Sequence, residues 1–334
     1  MKYSFVIPVY NRPQELRELL SSLACMSCKD FEVIVVEDGS SISSEDVCNS
    51  FAEALTLRYF SKPNSGPGLS RNYGAERATG EYIIVLDSDC VVPPDYLTAV
   101  EAELQCAAAR SVTIDAFGGP DRASDDFTPI QKAISYSMTS FWTTGGIRGG
   151  KHKMDKFYPR SFNMGVRREV WNKMGGFSPM RFGEDIDFSI RLYKDNCQVR
   201  LFPEAWVWHK RRTNFRQFYK QVFNSGVARI NLYKKYPESL KLVHTLPALF
   251  AVGCTACLLL MLWHWWFILP VVLYCLLLFC SAWITCKSLK VAGLAVVAAF
   301  VQLFGYGLGF LQAYLRRVLG RRSEYASFQK NFYE

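Results

Sequence analysis

The chain has 334 residues, half of them hydrophobic, and its 39 Lys and Arg against 30 Asp and Glu give a formal net charge of +9. This is enough apolar material for a large core and enough length for one large domain or two ordinary ones. Eleven cysteines with no paired metal spacing, only a lone Cys25-x-x-Cys28, exclude a cysteine-built metal fold and read as reduced, small hydrophobic residues.

The apolar run at residues 4–9 reads as a buried strand. No cleavage-site pattern accompanies it, so the N-terminal part is expected to stay in the cytoplasm. Asn11 and Pro13 start a helix in which Leu16, Leu19, Leu20 and Leu23 recur at i, i+3, i+4 and i+7. Residues 31–36 form a second strand ending in Glu37-Asp38-Gly39-Ser40. A short third strand at 57–60 leads into the turn-rich stretch 63–68 and a helix near residues 70–78. Residues 82–86 form a fourth strand, ending in Asp87-Ser88-Asp89. This alternation implies a parallel sheet with helices on both faces. In open sheets of this kind ligands bind beyond the carboxyl ends of the strands. Tyr10-Asn11, Asp38 and Asp87-Ser88-Asp89 are therefore expected to converge on one crevice.

Further along, Gly118-Gly119-Pro120-Asp121 ends another strand, and Gly145-Gly146 with Gly149-Gly150 marks an expected mobile loop. Residues 160–174 read as a strand and a short helix. Gly175-Gly176-Phe177 then turns the chain towards Glu184-Asp185, in the first turn of a helix whose dipole favours acidic side chains there.

Two carboxylates in an Asp87-x-Asp89 turn suit a hard cation such as Mg²⁺ or Mn²⁺ beside phosphate oxygens. Glu184-Asp185 can supply a general base for an attacking hydroxyl. Asp187 is the weaker candidate, because Arg191 at i+4 offers it an ordinary helix salt bridge. His209 can complete a metal shell begun by Asp89. Arg71, Arg211 and Arg212 can pair with a diphosphate. A dinucleotide-binding oxidoreductase would need a glycine-rich fingerprint directly after the first strand, and residues 8–14 carry no glycine. A catalytically silent membrane scaffold or lipid-binding protein is the non-enzyme alternative; the joint presence of Asp38, Asp87, Asp89 and Asp185 argues against it.

The stretches "VIPVYN", "VVEDGS", "GPGLSRNYG", "VLDSD", "NMGVRREVWNKMGGF", "GEDIDFSIRL" and "VWH" together follow the order and rough spacing of glycosyltransferase family 2, from residue 4 to about residue 209. The resemblance implies the GT-A fold: α/β, with a mostly parallel central sheet and helices on both faces. It also implies transfer of a sugar from a nucleotide diphosphate with inversion at the anomeric carbon. By that resemblance Pro8, Tyr10 and Asp38 surround the nucleotide base and ribose, and Arg71 lies near the donor. Asp87 approaches the ribose and metal, with Ser88 beside it in the donor set. Asp89 holds a divalent Mn or Mg ion, and Asp185 is the catalytic base. His209 matches a metal-binding histidine found in only some members. Processive membrane synthases of the family carry Q-x-x-R-W after the base. Here the region reads "FRQFYKQVFNSG", with Gln217 and Gln221 but no such motif, so a single sugar is expected per acceptor. The expected acceptor is a hydroxyl of a lipid-linked glycan, with a polyprenyl phosphate as the alternative.

Residues 246–286 carry no Asp, Glu, Lys or Arg, and neither do residues 291–315. A bilayer core takes roughly 20 apolar residues per helix, so the first run is long enough for two, turning at Trp263-His264-Trp265-Trp266, where aromatic rings favour the headgroup level. The expected organisation is a cytoplasmic catalytic domain at 1–240, a membrane domain at 241–318 and a polar tail at 319–334. Spans are expected near 246–263 and 266–286. The flanking charges Lys241, Lys287 and Arg316-Arg317 make the third apolar segment, 291–315, re-entrant or interfacial, since three full spans would put the last basic pair outside. The basic residues between Lys210 and Lys241 mark the cytoplasmic side and an anionic lipid surface, and beside a membrane segment they argue against nucleic acid. The resemblance to anchored bacterial members implies the inner membrane.

Overall fold

The computed structural model describes residues 1–122, 127–144 and 157–323; the expected glycine loop at 145–150 and most of the tail lie outside them. In chain order the strands are β1 (Tyr3–Val9), β2 (Phe31–Asp38), β3 (Leu57–Lys62), β4 (Tyr82–Leu86), β5 (Cys90–Val91), β6 (Ala116–Gly118), β7 (Asp121–Arg122), β8 (Asn163–Arg167), β9 (Val199–Leu201) and β10 (Val207–His209). The α-helices are α1 (Pro13–Ala24), α2 (Glu45–Asn49), α3 (Pro67–Ala75), α4 (Tyr96–Ala108), α5 (Pro129–Thr139), α6 (Phe141–Thr144), α7 (Arg168–Met174), α8 (Glu184–Lys194), α9 (Phe215–Lys235), α10 (Leu246–Leu260), α11 (Leu269–Cys286) and α12 (Leu289–Ala313). They divide into two units. Among the described residues, the first combines 1–122 with 157–210, the second 127–144 with 211–323.

The first unit is built on a seven-stranded sheet of order β3-β2-β1-β4-β8-β6-β9. β1 to β4 are mutually parallel, as are β6 and β9, and β8 runs antiparallel to both of its neighbours. Strands of such a sheet are covered on both faces and read as near-continuous apolar runs; every residue of β1 and β2 is buried. Successive side chains point to opposite faces. Phe5, Ile7 and Val9 of β1 therefore join the leucine stripe of α1 and Tyr96, Leu97 and Val100 of α4 on one side. Val6, Ile34 and Val85 meet Ala75 of α3, Trp171 of α7 and Phe188 of α8 on the other.

Register opens the crevice. β1 pairs with β2 as far as Val9 and Glu37, but with β4 only as far as Val6 and Val85. Beyond Val6, β1 keeps only its β2 neighbour, and Pro8, which has no N–H to donate, sits in that stretch. This is where strand order reverses, the switch point at which α/β sheets form ligand sites. A second, three-stranded sheet, β5-β10-β7, pairs Cys90 with His209 and Val91 with Trp208.

The second unit is helical. The domain boundary expected near residue 240 falls instead at Lys210–Arg211, and α5 and α6, from the middle of the chain, belong to this unit as well. The reason is packing: Phe218 and Val222 of α9 and Ala133 and Ile134 of α5 share a core with Val291, Ala292, Ala295 and Ala298 of α12. α9 and α12 meet backbone to backbone. A Cβ on Gly226 would lie 2.2 Å from the Tyr306 carbonyl oxygen, and one on Gly309 2.2 Å from that of Phe223. Small residues at helix interfaces permit this approach, a common device where apolar helices associate.

Two helices, Trp265–Cys286 and Leu289–Leu319, are long and apolar enough to cross a membrane. The first is 11% buried within the protein and the second 44%. The helix at Leu246–Leu260 is shorter, at 15 residues. Of the three expected apolar segments, the one expected to be re-entrant or interfacial is the longest helix, and the first expected span is the shortest. Composition alone misses this, because it does not register the α5 and α9 side chains packed on α12.

Candidate active site

Two ends meet across the crevice. β4 stops at Leu86 and the chain turns through Asp87-Ser88-Asp89 into β5. The register of β5 against β10 carries His209 to that turn, held further by the Lys210 N–H donating to the Asp89 carbonyl at 3.2 Å. His209 Nε2 lies 3.2 Å from Asp89 Oδ1 and 3.9 Å from Asp87 Oδ2, with its ring stacked on Phe162 at 4.9 Å. Asp87, Asp89 and His209, three residues proposed as metal ligands from the sequence, are brought together. The two carboxylates suit a hard cation such as Mg²⁺ or Mn²⁺, and the added imidazole nitrogen favours the transition metal of the two. The Cys90 thiol lies close enough to join a cluster with Asp89 and His209. With no cation bound, burial and then the Asp89 and Asp87 charges push that thiol well above its ordinary range.

Two arginines flank the carboxylates. Arg12, which the sequence reading did not single out, donates from Nη1 to Asp89 Oδ2 at 2.6 Å across the crevice. Its burial opposes the positive charge, yet Asp89 outweighs that and holds its pKa above the ordinary value. Arg71, on α3, is 3% exposed; it pairs with Asp87 through Nη2 and with Glu184 through Nη1 at 3.1 Å. Expected near the donor as a phosphate partner, its guanidinium is buried against two carboxylates, one of them the expected donor residue Asp87.

Glu184 and Asp185 occupy the first turn of α8, as expected, after Gly183, whose φ of 85° places the cap in the left-handed region that glycine favours. Asp185 is 6% exposed, accepts the Ile186 N–H at 2.8 Å and pairs through Oδ2 with Arg160 Nε at 2.8 Å. Burial, then the neighbouring Asp185 charge, pushes Glu184 up to about 7, against the opposing pull of Arg71. Asp187 has the partner its spacing implied: its Oδ2 accepts from Arg191 Nε at 3.0 Å, and also from the Ser178 hydroxyl at 2.6 Å.

The remaining donor candidates sit on neighbouring strand ends. Pro8 is buried in β1, Tyr10 is half-buried directly after it, and Ser88 is buried within the turn. Asp38, at the end of β2, is fully buried and engaged elsewhere. Its carboxylate accepts the Ser65 and Gly66 N–H groups at 2.9 and 2.8 Å and pairs with Lys62, which fixes the entry to α3. Asn11, at φ 52°, accepts from the Ser41 and Ile42 N–H groups at 2.8 and 3.0 Å, tying the β1 and β2 ends together.

Comparison with known proteins bears on the fold and the family. Among solved structures, the mannosyltransferase PcManGT from Pyrobaculum calidifontis, in complex with GDP-Man and Mn2+, matches over 96% of this chain and 88% of its own, with a TM-score of 0.57 at 17% identity. TarS 1-349 of S. aureus in complex with UDP matches over 97% and 93%, with a TM-score of 0.50 at 19% identity. At such identities the likeness shows the fold, which is that of GT-A transferases. The probable glycosyltransferase YdaM of Bacillus subtilis is 26% identical over 66% of this chain, and an uncharacterized glycosyltransferase of Rickettsia felis is 39% identical over 26% of it. The chain spans 53% of the first relative and 15% of the second. The model of glycosyl transferase family 2 matches residues 4–175, which hold β1 to β8 and the Asp87-Ser88-Asp89 turn, and the chain belongs to that family.

Proposed function

We propose that the protein transfers one sugar from a nucleotide-diphosphate donor to a hydroxyl of a lipid-linked glycan, with inversion, at a bacterial inner membrane and from its cytoplasmic face. The observation that carries this reading is the meeting of Asp87, Asp89 and His209 beside two arginines at the switch point of the sheet. Asp89, Asp87 and His209 would hold a divalent Mn or Mg ion, which when bound neutralises charge on a diphosphate leaving group. Pro8, Tyr10, Asp38 and Ser88 belong on this reading to the base and ribose side of the donor pocket, with Asp38 also acting through the 62–66 segment that it anchors. Arg12 orients Asp89 through their ion pair. Asp185, in the positive first turn of α8, takes the proton of the acceptor hydroxyl as that oxygen attacks the anomeric carbon. The two long apolar helices support a membrane setting for a lipid-linked acceptor.

Arg160 on Asp185 favours a second reading. A phosphate acceptor is already ionised and gains more from a guanidinium than from a base, so a polyprenyl phosphate is the alternative acceptor. One experiment tests both: incubate purified protein with a panel of nucleotide sugars, with and without Mn²⁺, and weigh products formed on a glycan lipid and on a polyprenyl phosphate. One discrete sugar increment on the glycan, dependent on metal, supports the first reading, and an acid-labile sugar phosphate supports the second. No hydrolysis or transfer from any donor overturns both.

A further inference from the structure

We propose that Arg71 is a positioning residue that locks the Asp87 side of the candidate metal site and the first turn of the Asp185 helix into one register. The inference rests on the reading of Asp185 as the base and adds a residue to it.

Asp87 closes β4 and Glu184 opens α8, and the sequence between them contains β5 to β8. A single buried guanidinium joins the two, Nη2 on Asp87 and Nη1 on Glu184, over the ring of Phe177 at 5.7 Å. The helix that carries Arg71 is itself clamped. Asn72 donates from Nδ2 to the Phe177 carbonyl at 2.8 Å and accepts the Phe177 N–H at 2.8 Å. One turn before Arg71, a Cβ on Gly68 would lie 3.4 Å from Glu184 Cγ, so α3 and α8 approach closely at this point. At the N-cap of α3, two residues before Gly68, Asp38 holds the Gly66 N–H. Burying a guanidinium against Glu184, with the partly exposed Asp87 as its second partner, is a poor way to gain stability, since apolar residues of similar volume do as well or better. What the trio does supply is direction. A planar fork fixes two carboxylates at once, which a lysine ammonium on a flexible stem does not. Donor side and base side are thereby set by one rigid helix.

The test uses the full chain in detergent, with initial rates measured for Arg71→Lys, Glu184→Gln, the double variant and Asp185→Asn, together with Tm. Arg71→Lys should lower kcat at least tenfold and raise the Mn²⁺ concentration needed for half-maximal rate, with Tm nearly unchanged. Glu184→Gln should lower kcat while leaving donor KM in place. The double variant should be no slower than Arg71→Lys alone, because both remove the same connection. Added guanidinium should restore part of the rate of Arg71→Ala; the lysine variant carries the test if that protein does not fold. Wild-type kcat and Mn²⁺ dependence in Arg71→Lys overturns the proposal, as do losses that multiply independently in the double variant. Full activity of Asp185→Asn would instead sink the reading of the base, whatever the Arg71 variants do.

Discussion

The two units solve the burial of polar groups in opposite ways. In the sheet unit, carboxylates and a guanidinium group are buried at strand ends and on the helices α3 and α8: Asp38, Arg71, Asp89, Glu184 and Asp185 are each less than a tenth exposed. In the helical unit the α5, α9, α11 and α12 core is almost wholly apolar, and α9 and α12 close on each other through glycine. Chemistry in the first therefore depends on charges held in place by one another, and cohesion in the second depends on the absence of side chains. A substitution that leaves shape alone and changes charge should separate the two.

The largest effect is expected from Asp89→Asn. The amide keeps the size of the side chain but removes one of the two carboxylates offered to a hard cation, and it weakens the charged pair with Arg12. Metal-stimulated transfer should fall below detection while the far-UV spectrum and Tm stay near wild type. A variant as active as wild type, and equally sensitive to a chelator, would move the metal away from this turn.

Gly226→Leu is the converse. It touches no candidate site residue, and it drives a side chain into the Tyr306 carbonyl and the Phe310 N–H region of α12. Overpacking against backbone has no flexible neighbour to yield, so a loss of about 3 kcal/mol in the helical unit is expected. Thermal unfolding in detergent should show the unit melting earlier. Unchanged melting would mean that α9 and α12 are not held together at this point.

How much of this was legible beforehand follows the same division. The parallel strands showed themselves as unbroken apolar runs, the Asp87-Ser88-Asp89 turn as their abrupt end, and Asp185 as an acidic residue opening a helix. Even the approach of His209 to Asp89 was open to inference from its strand-like approach. Arg12 was not, because its role depends on β1 and β4 parting after Val6, a matter of register that composition does not carry. Nor were the partners of Asp38 and Arg71: the Ser65 and Gly66 N–H groups and Lys62 around the first, and Asp87 and Glu184 around the second, are set by the fold. The reversed direction of β8 leaves no trace in its five residues, Asn163 to Arg167. α5 reads as an ordinary soluble helix until its partner α12, more than 150 residues later, is known.

The smallest effect expected is a pH dependence that belongs to the sheet unit alone. Glu184 is buried beside Asp185, and these two effects raise its pKa from the ordinary value of 4.5 to about 7 despite the Arg71 charge. A carboxyl whose pKa is higher in the folded than in the unfolded chain binds its proton more tightly when folded. Its contribution to stability is therefore fully present below about pH 4.5 and declines as pH rises through 7, when the folded protein must accept a buried second charge next to Asp185. Glutamine in its place cannot ionise. The Tm difference between wild type and Glu184→Gln should accordingly shift in favour of the variant from pH 5 to pH 8, and Gly226→Leu compared in the same way should show no such trend. A flat difference across that window would mean that Arg71 keeps Glu184 ionised throughout, and would assign the buried proton to no residue of this cluster.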